Sequence, residues 1–260
     1  MFCYSDLILQ KGKTDYFSLF INKKNYNDCE YIIYDQSNNI ISKDKIKDNQ
    51  ISFKVEDTKF PLNNYLIEIN KNNKIYKIPF SVCFLEKDEK YIICDIDFTL
   101  SATNIFLYIS NNVLHIKALY NSQYFLNELS NFFRIIYLTG RKETFTRITK
   151  IWLEKNNFPP GPLLARKMDY NNSLGMFKTE VLKKITDISK NGVGIGDLKS
   201  DIFAYLNNNI IPIKIQHPLF YYSKNDKYKY IKDHYVVSSW KGIEKLFIQE
   251  KLLGFEIKER

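Results

Sequence analysis

An open parallel α/β sheet, preceded by an all-β sandwich-like region, is the architecture that this sequence predicts. Three observations carry it. Residues 1–90 alternate polar and apolar residues between turn-like stretches such as NKKNYN, DQSNN and NKNN, with no helical periodicity. Residues 91–260 alternate short apolar runs with segments that repeat apolar residues at helical spacing. The first of those runs, Tyr91–Asp95, is continuously apolar up to its last residue, as expected of a strand covered on both faces.

Taken in order, the strand candidates of the first region are Tyr16–Ile21, Glu30–Asp35, Asn49–Val55, Asn64–Ile69 and Lys74–Val82. Their spacing suits a sandwich of about seven short strands. In the second region Tyr91–Asp95 is followed by a helix over Tyr120–Phe133, with Phe125, Leu129, Phe132 and Phe133 on one side. Arg134–Leu138 is a second buried strand. Lys142–Asn156 reads as a helix, ended by Pro159, Pro160 and Pro162. A short strand at Pro162–Arg166 and a helix over Phe177–Ile188 come next. Gly192–Ile195 is a strand, Ser200–Asn207 a helix and Ile210–Ile215 a strand, before a closing helix over Trp240–Leu253. This rhythm implies parallel strands joined by right-handed crossovers. The domains expected are therefore 1–90 and 91–260.

Bulk composition narrows the class. The 260 residues are 45% hydrophobic and 26% charged, enough to bury a core. A formal charge of +9 favours anionic partners, including phosphorylated substrates, nucleic acid and anionic lipid. The basic residues are spread along the chain, and the bias toward Lys, Asn, Ile and Tyr fits an AT-rich genome, so lysine abundance alone says little. Cys3, Cys29, Cys83 and Cys94 show no zinc-type spacing, and Cys94 reads as a small buried hydrophobe. The thiols point to a reduced, cytoplasmic protein. The first residues lack a secretory pattern, and no apolar run reaches the ~18 residues of a membrane helix. Membrane contact, if any, is expected to be peripheral. His115, His217 and His234 are isolated and read as structural. The tyrosine-rich stretch Phe220–Tyr235 reads as a surface loop, with an aromatic and basic contact surface as the alternative.

In open α/β sheets, chemistry sits beyond the carboxyl ends of the strands. After the first strand comes Asp95-Ile96-Asp97-Phe98-Thr99. Two carboxylates two residues apart in extended chain point the same way and repel unless a cation or proton lies between them. That suits a divalent metal, with one acid as nucleophile and the other as proton carrier. An isolated pair of loop acids is the ordinary alternative. After the second strand, Thr139-Gly140-Arg141 offers a hydroxyl and backbone N–H groups suited to a phosphoryl oxygen, or merely a helix cap. Lys178 opens the next helix, with Lys167, Lys183 and Lys184 as rivals. Gly196-Asp197-Leu198-Lys199-Ser200-Asp201 again clusters acids at a strand end, as a cation site or an N-cap.

The ordered set DxDxT, strand Thr, Lys and GDxxxD resembles the four-motif pattern of the haloacid dehalogenase (HAD) superfamily over about residues 90–215. The resemblance implies an open parallel Rossmann-like sheet and a Mg2+-dependent phosphatase. By it, Asp95 attacks phosphorus and Asp97 acts as acid and base. Thr139 and the neighbouring Gly140 and Arg141 hold the phosphoryl group, and Lys178 steadies it. Asp95, Asp97 (through its carbonyl) and Asp197 bind Mg2+, with Asp201 orienting them. The short spacings leave no room for a large cap, as in members that act on macromolecular or membrane-borne phosphates. DIDFT, YLTGR and NFPPGPLLAR further resemble lipin-type phosphatidate phosphatases, although those usually carry Gly or Asp where Phe98 stands. Phosphatidate is therefore the expected kind of substrate. The alternatives are a nucleic-acid end phosphatase and a non-catalytic binding module on the same scaffold.

Overall fold

The computed structural model describes residues 2–22, 26–58, 60–102, 116–216 and 227–255. The chain divides into two compact units. The first comprises Met1–Lys87, Arg141–Lys150 and Gly161–Tyr170; the second comprises Asp88–Gly140, Ile151–Pro160 and Asn171–Arg260.

In the first unit, β1 (Phe2–Cys3), β3 (Asp15–Ile21) and β6 (Gln50–Val55) form one sheet in the order β1-β3-β6. A second sheet runs β2-β8-β7-β4-β5, from β2 (Leu7–Gln10), β8 (Lys74–Leu85), β7 (Leu62–Lys71), β4 (Glu30–Tyr34) and β5 (Ile40–Lys45). The pairs are antiparallel except β2 with β8. Period-two alternation sets the core: Phe17, Leu19 and Ile21 of β3 are buried on one face. Phe17 stacks on Phe80 with ring centroids 3.8 Å apart, joining the two sheets, and Tyr65 stacks on Phe80 in turn. Each such buried ring or aliphatic chain contributes roughly 1.5–3 kcal/mol. Three strands escape the sequence pattern. β1 and β2 are too short to show a period, and every residue of β5 but Ser42 is exposed.

Asp6 ties this unit together from its buried position. It accepts the ammonium of Lys150 at 2.9 and 2.6 Å, and the backbone N–H of Ser81 and of Leu163 at 2.8 Å each. This accounts for two short segments from late in the chain, Arg141–Lys150 and Gly161–Tyr170, belonging with the N-terminal strands.

The second unit is built on parallel strands. β9 (Tyr91–Cys94) pairs in parallel with β10 (Arg134–Lys142) and with β12 (Gly192–Gly196). β13 (Ile211–Ile215) continues the sheet, followed by β15 (His234–Val237) and, antiparallel at the edge, β14 (Tyr228–Ile231). The strand over Leu163–Arg166, here β11, lies within the first unit's residues. The helices are α1 (Ser122–Ser130), α2 (Thr146–Lys155, after a 3-10 turn at Glu143–Phe145), α3 (Leu174–Thr186), α4 (Lys199–Leu206) and α5 (Trp240–Glu250). The mixed α/β architecture with an all-β N-terminal region agrees with the sequence reading.

Two differences matter. α3 begins one turn earlier than its apolar pattern suggests, because Ser173 caps it by accepting a hydrogen bond from Met176 N. Lys178 therefore sits in the second turn of the helix, not at its opening. The described part of the tyrosine-rich stretch is a hairpin, not a loop: β14 and β15 meet through Lys232–Asp233, with Lys232 at φ 59°. Residues 220–226 of that stretch, with His115 and His217, lie outside the described residues. Cys94 is fully buried, as read from its strand. Among the described residues no helix is long and apolar enough to cross a membrane.

β12 reads G-V-G-I-G for a steric reason. A Cβ at Gly192 would lie 2.5 Å from the Tyr91 ring, at Gly194 2.5 Å from the Tyr205 ring, and at Gly196 2.6 Å from Asp201. Tyr205 is buried and donates its hydroxyl to the Ile195 carbonyl at 3.1 Å, so its ring has no free direction to yield. Gly194→Ala is expected to lower stability by about 1–3 kcal/mol through overpacking. A urea melt checks this, and an unchanged midpoint would show that the ring relocates freely.

Candidate active site

The site assembles where β9 and β12 end. Asp95 follows β9 directly, and its N–H donates to the Ile195 carbonyl at 3.0 Å, which extends the ladder and fixes the carboxylate at the sheet's carboxyl edge. Beyond it the chain folds tightly. Leu100 and Ser101 N–H groups both donate to the Ile96 carbonyl, at 2.9 and 3.0 Å. Trp240 Nε1 donates to the Thr99 carbonyl at 2.7 Å and anchors the turn from α5. Phe98 sits at φ 56°, a left-handed conformation that favours Gly, Asn or Asp. The resembling families' preference at this position thus has a backbone reason, and this chain carries a bulky residue there in spite of it.

Lys178 is the centre of the charge cluster. Its ammonium lies 2.7 Å from Asp95 Oδ1 and 2.6 Å from Asp201 Oδ1, and the lysine is 1% exposed. Helical spacing explains how it gets there: the buried face of α3 carries Phe177, Lys178, Leu182 and Ile185. The rivals Lys167, Lys183 and Lys184 are all exposed. Asp201, in the first turn of α4, is fully buried, and its second oxygen accepts the Leu198 N–H at 3.0 Å. Asp201 therefore anchors both the lysine and the helix start.

Asp95, Asp197 and Asp201 each present an oxygen within 4.8 Å of the others. Three carboxylates against one ammonium leave two negative charges in a mostly buried space. The electrostatics reflect this. Burial pushes the Asp95 carboxyl well up, against the pull of Lys178, with Asp201 and Asp197 adding repulsion. Asp197 is pushed up to about 6, mainly by burial and then by Asp201. Burial alone would lower Lys178, but Asp95 and Asp201 outweigh it and hold the ammonium above its ordinary value. An all-oxygen donor set with surplus negative charge fits a hard divalent cation such as Mg2+.

Asp97 is half-buried, and its charge adds a small upward push on Asp197 after burial and Asp201. Thr139 is buried inside β10, which runs on to Lys142; the strand does not stop at Thr139 as its motif suggests. The β9–β10 pairing runs as far as Cys94 opposite Tyr137, so Asp95 and Thr139 both follow it on the carboxyl side. Gly140 is half-buried, and a Cβ there would lie 2.5 Å from Leu174. Arg141 is buried within the first unit and donates to Thr149 Oγ1 at 3.0 Å. Sequence reasoning missed Leu198 as the backbone donor to Asp201; the N3 acid at the start of α4 is the signal that finds it.

Fold and match together support, at the level of class, a HAD-like phosphatase domain. Residues 92–216, just under half of the chain, match the family model "PITM 1-3, LNS2 domain", which belongs to a HAD-like phosphatase family. No curated protein matches the chain. Among solved structures, the chain is similar to one from the Pnkp1/Rnl/Hen1 RNA repair complex, at 17% identity and TM-score 0.42, over 50% of this chain and 44% of that one. A second structure of that complex aligns at 15% identity and TM-score 0.42, over 56% and 55%. Fibronectin(III)-like modules of Clostridium thermocellum CbhA align at 14% identity and TM-score 0.26, over 36% and 56%. The chain thus spans about half the length of the structures it matches first.

Two outcomes follow from the charges. Lys178→Met leaves Asp95 and Asp201 buried without their cation, and a loss of about 3–5 kcal/mol is expected in metal-free buffer, read by denaturant melting. Asp197, with its raised folded-state value of about 6, binds a proton more tightly folded than unfolded. Its contribution is present at pH 4 and lost as pH rises through 6. The metal-free melting temperature should therefore fall more steeply over pH 4–7 in the wild type than in Asp197→Asn, and Mg2+ should raise it more at pH 7.5 than at pH 5. Parallel profiles would contradict the arrangement.

Proposed function

We propose that this chain is a Mg2+-dependent phosphomonoesterase that works through an aspartyl-phosphate on Asp95, acting on a large or membrane-borne phosphate such as phosphatidate. The observation that carries it is Lys178 clamped between Asp95 and Asp201, with Asp197 beside them, at the carboxyl edge of a parallel sheet. An Asp95 oxygen attacks phosphorus while the bond to the leaving alcohol breaks, and Asp97 gives that alkoxide its proton. Asp97 then takes a proton from water, the hydroxide attacks phosphorus, and phosphate leaves with Asp95 restored as a carboxylate. Lys178 holds Asp95 in orientation and balances charge. Thr139, with Gly140 and Arg141, is assigned to the phosphoryl oxygens. Asp95, Asp197 and the Asp97 carbonyl would hold Mg2+, with Asp201 orienting the set. The ion supplies charge neutralisation on the phosphoryl group.

The short link between the first motif and β10 supports an uncapped site and hence a bulky substrate, and the +9 charge supports attraction to anionic surfaces. The reading is of a cytoplasmic protein in peripheral contact with anionic membrane. Phosphate release from p-nitrophenyl phosphate, phosphatidate in mixed micelles and a 3′-phosphorylated oligonucleotide, with Mg2+ or EDTA, tests it. Metal-dependent release is expected, strongest on phosphatidate, and lowered at least about 10³-fold by Asp95→Asn. Preference for the oligonucleotide would move the assignment to nucleic-acid ends. Metal-dependent phosphatidate binding with no release above the Asp95→Asn background would make the domain a lipid-binding module.

A further inference from the structure

The tyrosine-rich hairpin makes a second site that the phosphatase reading does not use. A cavity of about 460 Å3 lies at the sheet edge, lined by Tyr228 and Tyr230 of β14, Tyr235 of β15, Asp233 of the connecting turn, and Glu250 at the end of α5. Its volume is in the range of ligand pockets, about 300–1,000 Å3. β12, β13 and β15 stand between β14 and β9, which carries Asp95. Ile211, the first residue of β13, also lines the cavity. It therefore opens at the amino ends of the parallel strands, opposite the edge where Asp95 lies.

Strand alternation sorts the side chains. In β14, Tyr228 and Tyr230 share one face and Lys229 takes the other, where it pairs with Val236. The sequence mixes tyrosine and lysine along this stretch, but the hairpin separates them. Among the described residues, no lysine or arginine lines the cavity. The rings meet at steep angles. Tyr230 and Tyr235 lie 4.9 Å apart at 64°, and Tyr228 and Tyr235 lie 6.4 Å apart at 66°. In each pair the edge of one ring meets the face of the other, and the three rings together line the cavity. Glu250 is held by the Tyr228 hydroxyl at 2.7 Å, so it contributes negative field more than an open acceptor.

Tyrosine rings and two carboxylates, Glu250 held by the Tyr228 hydroxyl and Asp233 lying 2.9 Å from His234 Nδ1, favour a cation. A primary ammonium would need hydrogen-bond acceptors to replace its water, whereas a quaternary ammonium has no N–H and needs only the π-faces and diffuse negative charge. We infer that this pocket binds a quaternary ammonium group of the choline type, free or as a lipid headgroup. The inference stands apart from the phosphatase reading, because it concerns binding at the opposite edge of the sheet.

NMR titration of the full chain with tetramethylammonium and choline tests it, with the neutral isostere 3,3-dimethyl-1-butanol as control. Both cations should bind, and the isostere should bind about 2- to 30-fold more weakly, the span of a cation–π contribution. Tyr230→Ala, at a residue 60% exposed, and Glu250→Gln should each weaken choline by about 2-fold or more while leaving the circular dichroism unchanged. Asp95→Asn should leave choline binding intact, so this test can fail or succeed independently of phosphatase activity. Tyr230-dependent retention on phosphatidylcholine over phosphatidylglycerol vesicles would assign the lipid headgroup, and choline binding without such retention would assign the free cation. No binding of either cation, equal binding of the isostere, or indifference to Tyr230→Ala would overturn the inference.

Discussion

The contact on which the candidate-site end of the second unit depends is the buried ammonium of Lys178 between Asp95 and Asp201. It joins three elements: the end of β9, the second turn of α3 and the first turn of α4. A buried ion pair is a weak source of net stability, because desolvation offsets most of the attraction. Its consequence here is positional. With one oxygen on Lys178 and the other on the Leu198 N–H, Asp201 leaves α4 little freedom to shift against α3.

Small residues make that arrangement possible. The glycines of β12 leave room on one face of the strand for Tyr91, Tyr205 and Asp201, so the buried acid approaches the sheet backbone as closely as the two rings do. The turn after Asp95 is compact for a related reason. It closes on the Ile96 carbonyl, places Phe98 in a left-handed conformation, and is pinned from α5 by Trp240. Shape is thus set first by the backbone, and the charges occupy the space left.

The two candidate binding places differ in electrostatic logic. Around Asp95, negative charge exceeds positive charge inside the fold, which suits a divalent cation and, through it, a phosphate. At the β14–β15 hairpin, charge is diffuse and carried by rings as much as by carboxylates. Lysine elsewhere on the chain hides both features from any count of composition.

Much of the second unit is legible in the chain because its signals are local. Continuous apolar runs mark β9 and β10, helical spacing marks α1 and α3, and the four motifs fall in order along them. The first unit is partly legible, since β3, β4, β6, β7 and β8 alternate while β1, β2 and β5 carry no period to read. Asp95, Lys178, Asp197 and Asp201 are recognisable from motif order, but that Lys178 is the buried lysine, and Lys183 and Lys184 are not, follows only from which face of α3 meets the sheet. The Lys232–Asp233 turn lacks the glycine that would have announced a hairpin, so the separation of tyrosine from lysine there appears only once the strands pair. The sequence by itself determined the order of elements and the residue types at the strand ends, because those depend on neighbours in the chain. The tertiary structure alone decided which charges are buried together and which rings share a cavity, because burial is a property of residues brought from far apart.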